Sequence, residues 1–185
     1  NVLPKSVKNK KIRIWFQDEA RVGQQGTITR MWAEKGTRPR AVKQLKYEYA
    51  YIFGAVCPEK DDSAAIISPS IGINAMKAHL KVISDKVKPD EFAVVVLDRA
   101  SWHTSQKVNK FKNLVLLSLP PVSPELNPQE QVWQQLRDKY LANRSFRDYQ
   151  DIQQSCCHAW NSYVGQPGNI KSLCSRSWAN CGNLF

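Results

Sequence analysis

The chain has 185 residues, 42% hydrophobic and 23% charged. That length suits one domain, or one with a small appendage, with a core that needs no staples. The composition excludes general disorder. The longest apolar run, residues 92–97, is too short to span a membrane, and residues 1–11 carry no apolar segment of the signal-peptide kind.

Charge is more informative. Lys and Arg number 27 against 16 Asp and Glu, a net of +11. Residues 1–50 hold 12 basic and 4 acidic side chains, so most of the excess lies in the first third. A polyanionic partner, most simply nucleic acid, explains that bias; a surface tuned for solubility explains it too. The five cysteines contain no C-x-x-C pair. Neighbours such as Cys156 and Cys157 point about 100° apart on a helix and rarely share a metal, so free thiols in a reducing cytoplasm are expected.

Residues 1–10 are polar and basic and read as a linker. Ile12, Ile14 and Phe16 alternate with Arg13, Trp15 and Gln17, which predicts a strand over 11–17. Residues 27–32 predict a second strand among glycines. Residues 47–57 are rich in aromatic and β-branched side chains, and residues 58–62 supply a turn into a returning strand at 64–67. Short connections would make these neighbours a meander. Met76, Leu80, Ile83 and Val87 then form one helical stripe, opened by Asn74 and closed before Pro89.

Residues 92–97 are apolar without alternation, the mark of a strand covered on both sides. A short helical stretch at 105–111 leads to another buried strand at 114–119. Pro120, Pro121 and Pro124 break the chain before a helix over 128–141. Tyr149, Ile152, Cys156, Trp160 and Tyr163 define a last amphipathic helix. Strands first, then helix alternating with strand, argue an α/β domain with a mixed sheet.

Three carboxylates stand where open α/β sheets keep their sites. Asp18 ends the first expected strand, Asp98 ends the buried strand, and Glu130 lies in the first turn of the helix after the prolines. If the two strands run parallel and adjacent, Asp18 and Asp98 project from neighbouring carboxyl ends. Like charges so gathered need cations. Carboxylate oxygens suit Mg²⁺ or Mn²⁺, and two ions about 3.5–4 Å apart clamp a phosphodiester in in-line displacement.

Structural readings compete at each position. Asp18 and Asp98 are also turn residues in type. Asn127-Pro-Gln-Glu130 reads as a cap, a proline at the first helical position and a capping-box glutamate. Even so, Glu130 borders the stripe of Val132, Trp133, Leu136 and Tyr140, so capping does not exclude metal ligation. Trp133 reads as core.

The strings Phe16-Gln-Asp-Glu-Ala-Arg21, Val96-Leu-Asp-Arg-Ala-Ser-Trp-His103 and Leu119-Pro-Pro-Val-Ser-Pro-Glu-Leu-Asn-Pro-Gln-Glu130, followed by Val132-Trp133, resemble the three motifs of the IS630 group of insertion-sequence transposases. That group belongs with the Tc1/mariner DDE enzymes. The segments 23–32 and 47–56 are similar to one bacterial branch of it. The resemblance runs from about Ile12 through the last helix.

It implies an RNase H-like fold: a mixed five-stranded sheet, part antiparallel meander and part parallel, flanked by helices over residues 11–185. It implies Asp18, Asp98 and Glu130 as a triad binding Mg²⁺ or Mn²⁺, as two ions. The activity would be DNA cleavage at transposon ends and strand transfer into target DNA, by a homodimer in the bacterial cytoplasm beside the nucleoid. A purely hydrolytic nuclease of the same fold and a silent DNA-binding fragment are the rival readings.

Two departures from the family pattern stand out. Arg99 follows the second aspartate where Asn or Gly is common, and no helix-turn-helix modules precede Ile12. Expected DNA contacts are Arg21, which also suits a salt bridge to Glu19; Lys35, Arg38, Arg40 and Lys43 in an acid-free basic run; Arg99; and His103, close after Asp98.

Overall fold

A computed structural model describes residues 7, 9–26, 28–40, 43–98, 111–121 and 123–176. Five strands form one sheet: β1 (Lys11–Gly23), β2 (Tyr49–Cys57), β3 (Asp62–Ser68), β4 (Glu91–Leu97) and β5 (Leu114–Ser118), in the order β3-β2-β1-β4-β5. β1 is central. It pairs antiparallel with β2 and parallel with β4, while β2–β3 is antiparallel and β4–β5 parallel. The mixed, five-stranded sheet is therefore as expected.

Alternation along β1 builds two cores. Trp15 joins Phe53, Ala55, Val95 and Leu97 under α1 (Ile73–Lys86), whose Met76, Leu80 and Ile83 are fully buried. Phe16 and Val22 join Ile52, Val56, Val94 and Val96 on the other face. That face is covered by α2 (Gln129–Leu136) and α3 (Tyr149–Val164), with α4 (Asn169–Cys174) beside them. Helices on both faces explain why β4 has no polar alternation: all seven of its residues are buried.

The amino ends of β1 and β4 are pinned by charge. Buried Glu91 accepts from Arg13 Nε at 2.9 Å, Lys60 Nζ at 3.2 Å and the Lys88 backbone N–H at 3.3 Å. Burial opposes its ionisation, but these donors win and hold the carboxyl below its usual range. Arg13 also pairs with Glu59.

Several expectations change. β1 does not end at Asp18 but runs on to Gly23, because β2 continues to pair with it from Phe16 through Gly23. Residues 28–32 form no strand. There the Thr29 N–H bonds Asn143 Oδ1 at 3.1 Å, and Asn143 Nδ2 returns to the Thr29 carbonyl at 3.2 Å. Side-chain partners replace a ladder, and Met31 and Trp32 stay exposed. The β1–β2 connection is accordingly a long arm over residues 24–48.

The helix expected over 128–141 is α-helical to Leu136, then π-helical over Arg137–Leu141. The stretch expected to be helical at 105–111 lies outside the described residues except for Phe111, which is not helical. On α3, Cys156 is buried and Cys157 exposed, as divergent neighbours should be. Among the described residues no helix is long and apolar enough to cross a membrane.

Candidate active site

β1 and β4 set the first two carboxylates. Their parallel register ends with Phe16 opposite Val96, two residues before Asp18 and Asp98. Neighbouring strands lie about 4.8 Å apart. Within β1, Asp18 shares the parity of Phe16, whose side chain enters the core under α2 and α3. Asp18 is half-buried within β1, and Asp98 is exposed just past the end of β4.

The third carboxylate depends on how α2 docks. Asn127 is 5% exposed and donates from Nδ2 to the Gln17 carbonyl at 2.9 Å, joining the helix start to the backbone beside Asp18. Its Oδ1 accepts from the Gln129 N–H at 3.2 Å. One turn on, Trp133 lies against Gly54, the residue paired with Asp18 across the β1–β2 ladder. A Cβ on Gly54 would stand 2.5 Å from Trp133 Cη2 and 2.8 Å from Trp160 Cζ3. The bare glycine lets the indole reach the strand, where Trp133 Nε1 donates to Asp18 Oδ2 at 2.9 Å.

Glu130 is exposed and, with Asp18, lines a cavity of about 290 Å³ between β1 and α2. The capping box expected of it does not form. Pro128 occupies the cap position, no side chain caps the helix, and Asn127 serves the Gln129 N–H instead. The Glu130 carboxylate is thus not consumed by the helix that carries it.

The electrostatics separate this end of the sheet from the other. Asp18 is pushed up to about 7, first by burial and then by the negative charge of Glu130; the Glu19 backbone N–H and the Trp133 indole pull the other way without prevailing. Glu91, buried at the amino end, is neutralised by cations. Among the described residues no ion pair reaches Asp18 or Glu130. All-oxygen donors of like charge, lining one cavity, fit a hard divalent cation.

The third member is less close. Asp98 does not line the cavity, and among the described residues no three His, Cys, Asp or Glu side chains come together as a metal-sized group. Asp18 and Glu130 line one cavity; Asp98 stands just past the end of the adjacent strand.

The expected DNA contacts divide likewise. Arg21 lines the same cavity, with its guanidinium 5.3 Å from the centre of the Tyr49 ring. Lys35, Arg38, Arg40 and Lys43 are all exposed on the arm. That arm is rooted by Gln44, whose Nε2 and Oε1 bond the Phe146 carbonyl and N–H, each at 2.7 Å. Buried Gln24 adds a bond to the same carbonyl at 3.0 Å. Arg99 and His103 lie outside the described residues.

Sequence reasoning missed two contributors. Trp133, assigned to the core alone, is 3% exposed yet gives its N–H to Asp18. Arg137 lines the cavity as well. The signal lay in the spacing, since positions i, i+3 and i+7 from Glu130 share one helix face.

The sheet order and its flanking helices are those of an RNase H-like fold, and comparison with known proteins gives the family. Residues 13–153 match the family described as DDE superfamily endonuclease, and the chain belongs to it. It is 48% identical over 132 residues to the uncharacterized protein y4pE/y4sA of Sinorhizobium fredii (strain NBRC 101917 / NGR234), spanning 71% of this chain and 98% of that one. Its fold is that of the Mos1 mariner paired-end complex with Mn (TM-score 0.63, 13% identity, 86% of this chain and 50% of that one). The catalytic core domain of BIV integrase is also similar (TM-score 0.50, 13% identity, 82% of each chain). The chain spans about half the length of the Mos1 chain it matches. It is a DDE-family endonuclease domain with the fold of the Mos1 catalytic region.

Proposed function

We propose that this domain cleaves DNA phosphodiesters at transposon ends and transfers the freed strand into target DNA. Asp18, Asp98 and Glu130 would hold the divalent ions, Mg²⁺ or Mn²⁺. When bound, two such ions favour attack at phosphorus and stabilise the leaving oxygen. The observation carrying the reading is the cavity that Asp18 and Glu130 line together, with no ion pair to either among the described residues. Trp133 fixes one oxygen of Asp18, and Asn127 fixes the start of the helix that presents Glu130. Mos1 complexes with Mn and with Mg lend support to the choice of metal.

Hydrolysis at the transposon end leaves a 3′-hydroxyl. That hydroxyl attacks a target phosphodiester, forming one P–O bond as another breaks. Within the DDE family we further infer membership of the IS630 group, a reading that the resemblance of the motif strings supports. We further infer paired DNA ends, a homodimeric active complex, as the paired-end Mos1 assemblies suggest, and work in the bacterial cytoplasm at the nucleoid. Lys35, Arg38, Arg40 and Lys43, with Arg21, Arg99 and His103, would contact the DNA backbone.

The test is nicking and joining of duplex DNA with Mg²⁺ or Mn²⁺. Wild type should nick DNA and join a pre-cut 3′ end to a second duplex, while Asp18→Ala, Asp98→Ala and Glu130→Ala do neither. Shortened strands without joined products would assign the hydrolytic rival. DNA binding without nicking under either metal would assign the silent fragment.

A further inference from the structure

Arg137 stands at an unusual point. It opens the π-helical segment, with the Ala142 N–H reaching back to its carbonyl at 2.7 Å, and such wide turns gather at functional sites. Its side chain lines the cavity holding Asp18 and Glu130, as does Arg21 from β1. Both arginines also line a second, adjoining cavity of about 50 Å³, bounded by Gln25, Gly26 and Phe146. The two guanidiniums therefore border a path leading from the carboxylates along the edge of β1.

Opposite charges lining one cavity would ordinarily pair. Here they do not: among the described residues no ion pair joins Arg21 or Arg137 to Asp18 or Glu130. Arg21 lies over Tyr49, and Arg137 Nε donates to the Trp133 carbonyl at 3.3 Å. Each guanidinium is oriented by a neutral partner and retains further N–H donors. Carboxylates kept apart from arginines within one cavity can serve two different guests, the acids a cation and the guanidiniums an anion.

We propose that Arg21 and Arg137 form a phosphate seat beside the carboxylate pair, holding a backbone phosphate of the DNA strand that neighbours the one being cut. The inference rests on the DNA-cleaving reading above and assigns to Arg137 a substrate contact that its sequence position alone does not reveal. Seating that phosphate fixes the strand's register, so the scissile bond is presented to Asp18 and Glu130.

The experiment measures binding of a short DNA duplex to the whole chain in EDTA, across a salt series, so that metal loading and cleavage play no part. Each lost phosphate contact lowers the slope of log K against log salt by about 0.9. Arg137→Gln should bind more weakly, with the slope reduced by about 0.9, and Arg21→Gln likewise. Arg137→Lys should restore the slope. Because Arg137 is exposed, an unchanged Tm for these variants identifies the loss as one of contact. Wild-type affinity and slope in folded Arg137→Gln would overturn the seat while leaving the cleavage reading intact. A wild-type chain with no salt-dependent DNA binding would overturn both.

Discussion

Trp133 Nε1 and Asp18 Oδ2 stand 2.9 Å apart, so a tryptophan 3% exposed in the core reaches the most perturbed carboxylate of the site. The contact links packing to chemistry. α2 cannot shift along the sheet without releasing Asp18, and Asp18 cannot turn away without stranding a buried indole N–H. A hydrogen bond to a charged group contributes about 1.5–3 kcal/mol. Trp133→Phe keeps the ring packing and removes the donor. It should fold and should weaken Mn²⁺ binding by about tenfold or more, each 1.4 kcal/mol being a factor of ten. Calorimetric titration reads this; unchanged Mn²⁺ affinity in folded Trp133→Phe would remove the indole from the site.

Gly54 makes that contact geometrically possible. Its missing side chain leaves room for Trp133, Trp160 and Gln129, all within 3.0 Å of where a Cβ would stand. Gly54→Ala should cost about 1–3 kcal/mol by overpacking and should depress nicking further by pushing the indole off Asp18. Thermal unfolding and a nicking assay measure the two losses separately. An unaltered Tm would mean the rings yield freely.

The raised pKa of Asp18 gives a pH dependence of definite sign. The folded state holds the proton up to about pH 7, the unfolded chain only to about pH 4. Between these values the native state binds more protons, so the stability this group contributes is full below about pH 4 and is lost as pH rises through 7. In EDTA at about pH 8, Asp18→Asn should therefore melt above wild type, and its Tm should fall less between pH 4 and 7. Mg²⁺ should raise the wild-type Tm at that pH and leave Asp18→Asn unmoved. A wild type that outlasts Asp18→Asn in EDTA would contradict the assigned cost of the ionised carboxylate.

The arm between β1 and β2 is rooted by Gln24 and Gln44 but presents Lys35, Arg38, Arg40 and Lys43 to solvent. Replacing Lys35, Arg38 and Arg40 by Gln should lower the salt slope of DNA binding by about 2.7 if each meets a phosphate, with no change in Tm. An unaltered slope would exclude the arm from the footprint.

Much of this was legible in the chain. The alternation from Ile12 to Gln17, the unbroken apolar run of β4 and the helical stripe of α1 each have one periodicity, and each formed as that period dictates. The three acids and their likeness to a known family were equally plain. What failed depended on partners distant in sequence. Residues 28–32 look like a strand, but Asn143 takes the Thr29 backbone. Asp18 looked like a strand end because nothing local reveals that β2 pairs onward to Gly23. Trp133 looked like core and is core; its hydrogen bond exists because Gly54, from another strand, supplies no side chain. For Glu130 the motif left a capping role and a place in the site both open; the Asn127 side chain takes the Gln129 N–H, and Glu130 lines the cavity.

A crystal structure of the chain with Mn²⁺, read by anomalous scattering, bears most directly on the central claim. The account expects manganese peaks between Asp18 and Glu130, with Asp98 turned from the end of β4 to share an ion. Manganese bound elsewhere, or Asp98 remaining outside the coordination sphere at full occupancy, would contradict it.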